Sequence, residues 1–201
     1  MKKLFAVAIV LVLASGLYAQ MMPHAGVKGG VNYGVLNPDI EGMDNWTGLG
    51  YNFGIEVGMK PMPMLALDLG FAYYIAKYSI TEDEIETEAT INSFYIPFDL
   101  RYMFMATPMM SPYVKAGAAM MMQQSGDVTV DDTEFEIPDE DLETDFYVLG
   151  GLGLDIMAMP TFSVRPDITF QYNLTADDDE TEDASESGYD ILFTVGFFYH
   201  F

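Results

Sequence analysis

The stretch YDILFTVGFFYHF, Tyr189 to Phe201, decides the fold. Its odd positions are all apolar: Tyr189, Ile191, Phe193, Val195, Phe197, Tyr199 and Phe201. Its even positions are mixed and mostly smaller or polar: Asp190, Leu192, Thr194, Gly196, Phe198 and His200. Successive side chains of a strand point to opposite faces, so a strict period of two predicts a β-strand with one wholly apolar side. So greasy a strand, finishing on an aromatic residue, is expected to be the closing strand of a barrel set in lipid.

Seven earlier segments carry the same pattern. Ala25 to Leu36, Gly50 to Lys60 and Leu65 to Ala76 each put valine, leucine, isoleucine or aromatic residues on one face. Glycine, asparagine and single charges take the other. Ile91 to Phe104 alternates Phe94, Ile96, Phe98, Leu100, Tyr102 and Phe104 with Ser93, Tyr95, Pro97, Asp99, Arg101 and Met103. Pro97 cannot donate a ladder hydrogen bond, so a β-bulge is expected there. Tyr113 to Gln124, Phe146 to Met157 and Ser163 to Leu174 complete the set. The fold class expected is therefore all-β, an eight-stranded antiparallel up-and-down transmembrane barrel.

The connections alternate in length, as they do in transmembrane barrels with short turns on one rim and long loops on the other. Pro61–Met64, Thr107–Pro112 and Ala158–Thr161 are short; Asn37–Leu49, Lys77–Thr90, Ser125–Asp145 and Thr175–Gly188 are long. The formal net charge is −23, and it falls almost wholly on the long connections. Counting Asp145 and Asp190 with them, all acidic residues but Glu56, Asp68, Asp99, Asp155 and Asp167 lie there. Those five share the polar strand face with Lys28, Arg101, Lys115 and Arg165, a nearly balanced set. Such a distribution fits an inside-out barrel, apolar outside and ionic within. A soluble barrel would place its apolar face inward, and an open sheet in lipid would leave backbone groups without partners.

Met1 to Ala19 has two lysines, an apolar core and small residues, the form of a secretory signal cleaved between Ala19 and Gln20, which leaves 20–201 as the barrel domain. The chain contains no cysteine, which excludes disulfides. Its acidity argues against nucleic acid as a partner and against basic adhesion to anionic lipid.

The segments GVKGGVNYG (Gly26–Gly34), FGIEVGMK (Phe53–Lys60) and FYIPFDLRYMF (Phe94–Phe104), with the terminal aromatic, resemble the small outer-membrane β-barrel domain family. These are the porin-like and OmpX- or opacity-like eight-stranded proteins of Gram-negative bacteria. The resemblance implies residence in the outer membrane, contact with its lipid, and Phe197, Tyr199 and Phe201 as the signal read by the barrel-assembly machinery. It also makes Pro97 a family feature.

The chemistry expected is sparse. The only histidines, His24 and His200, fall on the periplasmic rim, away from the outer rim where enzymatic barrels work, so no catalytic residues, cofactor or dedicated metal site are assigned. Lys28, Glu56, Asp68, Asp99, Arg101, Lys115, Asp155, Arg165 and Asp167 are expected to form an interior ionic network. Eight-stranded barrels are just wide enough for side chains to fill, which favours a plug over a conduit. Asp131, Asp132, Asp177, Asp178 and Asp179 could hold divalent cations weakly, since carboxylates suit hard ions, but no EF-hand spacing is present. The methionines near the short turns (Met59, Met62, Met64, Met103, Met105, Met109, Met110, Met157 and Met159) read as soft apolar residues at the membrane boundary before they read as thioether ligands for copper. Trp46 is expected in the first long loop, as an interface anchor or a binding residue. The function expected is a monomeric structural or surface-interaction barrel. The alternatives are a porin-like channel for small cationic solutes and, by family analogy, a part of a secretion or assembly complex.

Overall fold

The computed structural model describes residues 22–37, 46–82, 85–104, 107, 109–130, 133–136, 138, 144–175 and 187–201. They form β1 (Met22–Asn37), β2 (Trp46–Met62), β3 (Leu65–Glu82), β4 (Ile85–Met103), β5 (Met110–Val130), β6 (Thr133–Glu136), β7 (Thr144–Met159), β8 (Phe162–Asn173) and β9 (Ser187–His200). Neighbours in sequence other than β6 and β7 pair antiparallel, β1 pairs with β9, and β5 pairs with both β4 and β7. The eight long strands thus close a ring with no free edge within the barrel wall, as a spanning sheet requires. The short β6 stands outside that ring, on the part of β5 that rises past the top of β7.

Burial follows the period of two. In β9, Leu192, Thr194 and Phe198 are at most 4% exposed, whereas Phe193, Val195, Phe197 and Tyr199 are 44–50% exposed. The same outward belt continues through Val27, Val31, Phe53, Ile55, Leu69, Phe71, Phe98, Leu100, Val148, Leu152 and Phe170. No helix among the described residues is long and apolar enough to cross a membrane. The chain crosses with strands.

The wall departs from the expected one in three places. Lys77–Thr90 is not a loop: β3 and β4 run on as a hairpin to the pair Glu82↔Ile85. Much of Ser125–Asp145 is likewise strand, in the outer part of β5, in β6 and at the start of β7. A hairpin standing in water needs no apolar face, so charge there does not end a strand. The bulge is displaced as well: it lies between Asn92 and Ser93 on β4, with Gln124 of β5 unpaired, while Pro97 keeps register opposite Ala119. On its other side the β3–β4 ladder skips from Leu69↔Phe98 to Ala72↔Tyr95 without shifting. The ring of Pro97 fits there because the facing residue is Gly70, where a Cβ would come within 2.8 Å of Pro97 Cγ. A missing side chain, not an extra residue, accommodates the proline.

Candidate functional site: the closed lumen

The site that the fold builds is the interior, and the inward strand positions fill it in layers. At the rim carrying Met22 and Phe201, here the near rim, Asp68 of β3 accepts two hydrogen bonds from Arg101 of β4, one from Nε and one from Nη2 at 3.0 Å. His24 Nε2 of β1 lies 2.6 Å from the same carboxylate. A side chain at Gly58 on the intervening β2 would obstruct that reach. The fork of two parallel N–H bonds makes this the strongest geometry an arginine–carboxylate pair can take.

A second, longer chain of charges runs upward from it. Lys60 of β2 reaches Asp155 of β7 at 3.0 Å, although those strands stand four places apart in a ring of eight. Arg165 of β8 joins Asp155 and Glu56, each at 3.4 Å, and lays its guanidinium 3.8 Å from the centre of the Phe198 ring. Lys28 sits 3.6 Å from Glu56 and 3.2 Å from Asp167; Lys115 sits 3.1 Å from Asp167 and 3.7 Å from Asp99. The nine residues assigned to the interior by periodicity all face inward. Asp68 and Arg101 form one cluster, and the other seven form a continuous chain that ends on Lys60.

Above the charges the lumen turns aromatic. Tyr74, Tyr78, Tyr95, Tyr147, Leu149, Leu192 and Met121 pack together, with Trp46 against them. Tyr95 Oη donates to Gln171 Oε1 at 2.8 Å, and Gln171 Nε2 donates to Asp190 Oδ2 at 2.8 Å. Gln123 and Asn173 both donate to Asp145 at 3.2 Å. Between the two layers remains a cavity of about 30 Å³, bordered by Lys28, Asn52, Asp99, Lys115 and Thr194.

Several residues stand elsewhere than their sequence context suggested. Asp145 and Asp190, counted with the outer loops, are buried and directed inward. Trp46 opens β2 and packs against the interior tyrosines, so it is neither a membrane-interface anchor nor a loop residue. His24 keeps its expected place at the near rim, where it is only 2% exposed and belongs to the ionic layer. Met103 is inside with Ala66 and Tyr113, whereas Met62, Met64, Met109 and Met159 are exposed at the near rim. Lys60 was missed, although its even number on the second strand gives it the parity of Glu56. Phe197, Tyr199 and Phe201 lie on the outward face, 47%, 50% and 73% exposed. Asp131, Asp132, Asp177, Asp178 and Asp179, like residues 1–19, fall outside the described residues.

Two arrangements resemble reactive sites. His24, Glu56 and Asp68 bring ligand atoms within 4.8 Å of one another, as a metal centre would. Arg101 and Arg165 already engage the two carboxylates, so the cluster holds guanidinium groups. Ser163 Oγ and His200 Nε2 stand 2.8 Å apart, with Ser163 fully buried.

The barrel is similar to several solved structures at identities that speak to fold alone. The N-terminal β-barrel domain of Pseudomonas aeruginosa OprF aligns at 15% identity with a TM-score of 0.50, covering 87% of this chain and 97% of that one. Neisserial surface protein A aligns at 12% and 0.51, covering 88% and 97%. The outer membrane protease OmpT of Escherichia coli aligns at 9% and 0.50, covering 90% and 97%. A search of curated proteins finds no match. The sequence itself matches the family described as the outer membrane protein beta-barrel domain over residues 5–201. An apolar belt, a ring closed through β1 and β9, and this match over nearly the whole sequence together make the chain a member of the outer membrane protein beta-barrel domain family, resident in the bacterial outer membrane.

Proposed function

We propose that this protein is a closed, non-conducting barrel with a structural or surface-interaction role in the outer membrane. One observation carries the reading: among the described residues, charged and aromatic side chains meet across the lumen, and the cavity bordered by Lys28, Asn52, Asp99, Lys115 and Thr194 is about 30 Å³. One ordered water occupies a space of roughly 10–15 Å³ on that measure, so the cavity has room for about two. A hydrated ion needs far more. In this reading the barrel is a monomer and a non-catalytic platform, bounded by outer-membrane lipid, with its acidic connections joining strands at the far, extracellular rim. Those connections, Asp131, Asp132, Asp177, Asp178 and Asp179 among them, would take up divalent cations weakly. The outward aromatics Phe197, Tyr199 and Phe201 would serve recognition by the assembly machinery during insertion.

The experiment is planar-bilayer recording of the refolded protein in potassium chloride. The closed barrel gives no steady openings. Reproducible, cation-selective steps would replace this reading with a porin-like channel, in which the acidic rim concentrates cations at the mouth.

A further inference from the structure

The two histidines of this chain face each other across the seam that closes the barrel. His24 of β1 pairs with His200 of β9 in register. Phe201 N donates to Pro23 O beside them. The next pair, His24–His200, is therefore of the non-hydrogen-bonded kind, in which facing side chains approach most closely. Their ring centres are 5.6 Å apart with the planes inclined by 38°.

Each ring has one nitrogen fixed by a partner. His24 Nε2 stands 2.6 Å from Asp68 Oδ1 and 3.3 Å from Arg101 Nη2; the carboxylate is much the nearer and can only accept, so Nε2 carries the proton and donates to Asp68. Nδ1 is left with its lone pair, and this atom is buried without a hydrogen-bond partner. His200 Nε2 is engaged with Ser163 Oγ at 2.8 Å, which leaves its own Nδ1 for another task. A carboxylate or hydroxyl holding one imidazole nitrogen, with the other turned to an ion, is how metal-ligating histidines are positioned. Bonds of about 2.0–2.1 Å from a zinc ion to each nitrogen place two imidazole centres on one ion about 5–6 Å apart. The observed spacing falls in that interval.

We propose that His24 and His200 form a two-imidazole site for a divalent transition-metal ion of the zinc class, clasping the first strand to the last at the near rim. Asp68, Glu56 and Asp155 are balanced there by Arg101, Arg165 and Lys60, so the ion is held by ring nitrogens and not by net negative field. That selects a metal suited to imidazole over calcium or magnesium. His200 is only partly buried, which gives the ion an approach from the near rim; water completes its coordination.

The test is Zn²⁺ binding by the refolded full-length barrel in detergent, read by competition with a chromogenic chelator, beside thermal unfolding with and without Zn²⁺. Millimolar Ca²⁺ in the buffer competes for weak carboxylate sites. The wild type takes up one equivalent and unfolds at a higher temperature with the ion. His200→Ala, which removes the bond to Ser163 and the ring contact with His24 but leaves the Asp68–Arg101 pair intact, lowers the affinity at least tenfold and abolishes the thermal shift. His24→Ala does the same where it folds; because it also touches Asp68, the His200 variant decides. No stoichiometric uptake by the wild type, or equal affinity in His200→Ala, overturns the proposal.

Discussion

Asp167 holds four groups in place: Lys28 at 3.2 Å, Lys115 at 3.1 Å, Thr169 Oγ1 at 3.0 Å and Tyr113 Oη at 3.4 Å. Removing one partner from a buried ionic set leaves an uncompensated charge, which costs about 3–5 kcal/mol. Asp167→Ala is therefore expected to lose that much in equilibrium urea unfolding followed by tryptophan fluorescence. On the opposite face, Val195 lies mid-strand and 44% exposed to lipid. Val195→Arg there is expected to cost about 2–4 kcal/mol in the same assay, because the charge enters hydrocarbon. The inward ionic residues were legible from parity alone, since a charge on a strand beside a lipid-facing residue has only the lumen to enter. Lys60 obeys the same rule but stands next to the Pro61 turn, where a rim position competes. Trp46 was misplaced for a related reason. Near a strand end, periodicity gives the face, but it does not tell how far the wall continues.

Pro97 and Gly70 form a unit across the β3–β4 ladder, and neither is interpretable alone. A Cβ at Gly70 would stand 2.8 Å from Pro97 Cγ and 3.2 Å from Cδ, both atoms of a stiff ring. Overpacking of this kind typically costs about 1–3 kcal/mol. Gly70→Ala is expected to destabilise by that order, and to cost much less when Pro97→Ala removes the ring. A double-mutant cycle of unfolding free energies measures the coupling, and additivity would refute it. Sequence could flag Pro97 as a departure from the ladder. It could not choose between an inserted residue and a facing glycine, because that depends on which residue of β3 lies opposite. The far-rim extensions were hidden by composition: Lys77–Thr90 is acidic, yet Tyr78↔Ala89 and Ile80↔Thr87 continue the ladder set up below them. Once two strands are paired in the wall, each further pair adds backbone hydrogen bonds whatever its side chains face.

The molecule as a whole is a lipid-facing belt around a filled lumen, and both properties follow from one alternation. Odd residues of β9 meet hydrocarbon; even residues meet Arg165, the tyrosine layer and the small cavity. The natural chain has no cysteine, so single cysteines can be placed along β9 without interference. The most direct test is thiol labelling of Phe193→Cys, Thr194→Cys and Val195→Cys in the barrel reconstituted in vesicles. Phe193→Cys and Val195→Cys should react with a lipid-soluble maleimide. Thr194→Cys, at a position 3% exposed, should resist both that reagent and a small cationic methanethiosulfonate offered from either side. Rapid modification of Thr194→Cys by the water-soluble reagent would contradict the closed lumen, and with it the non-conducting barrel.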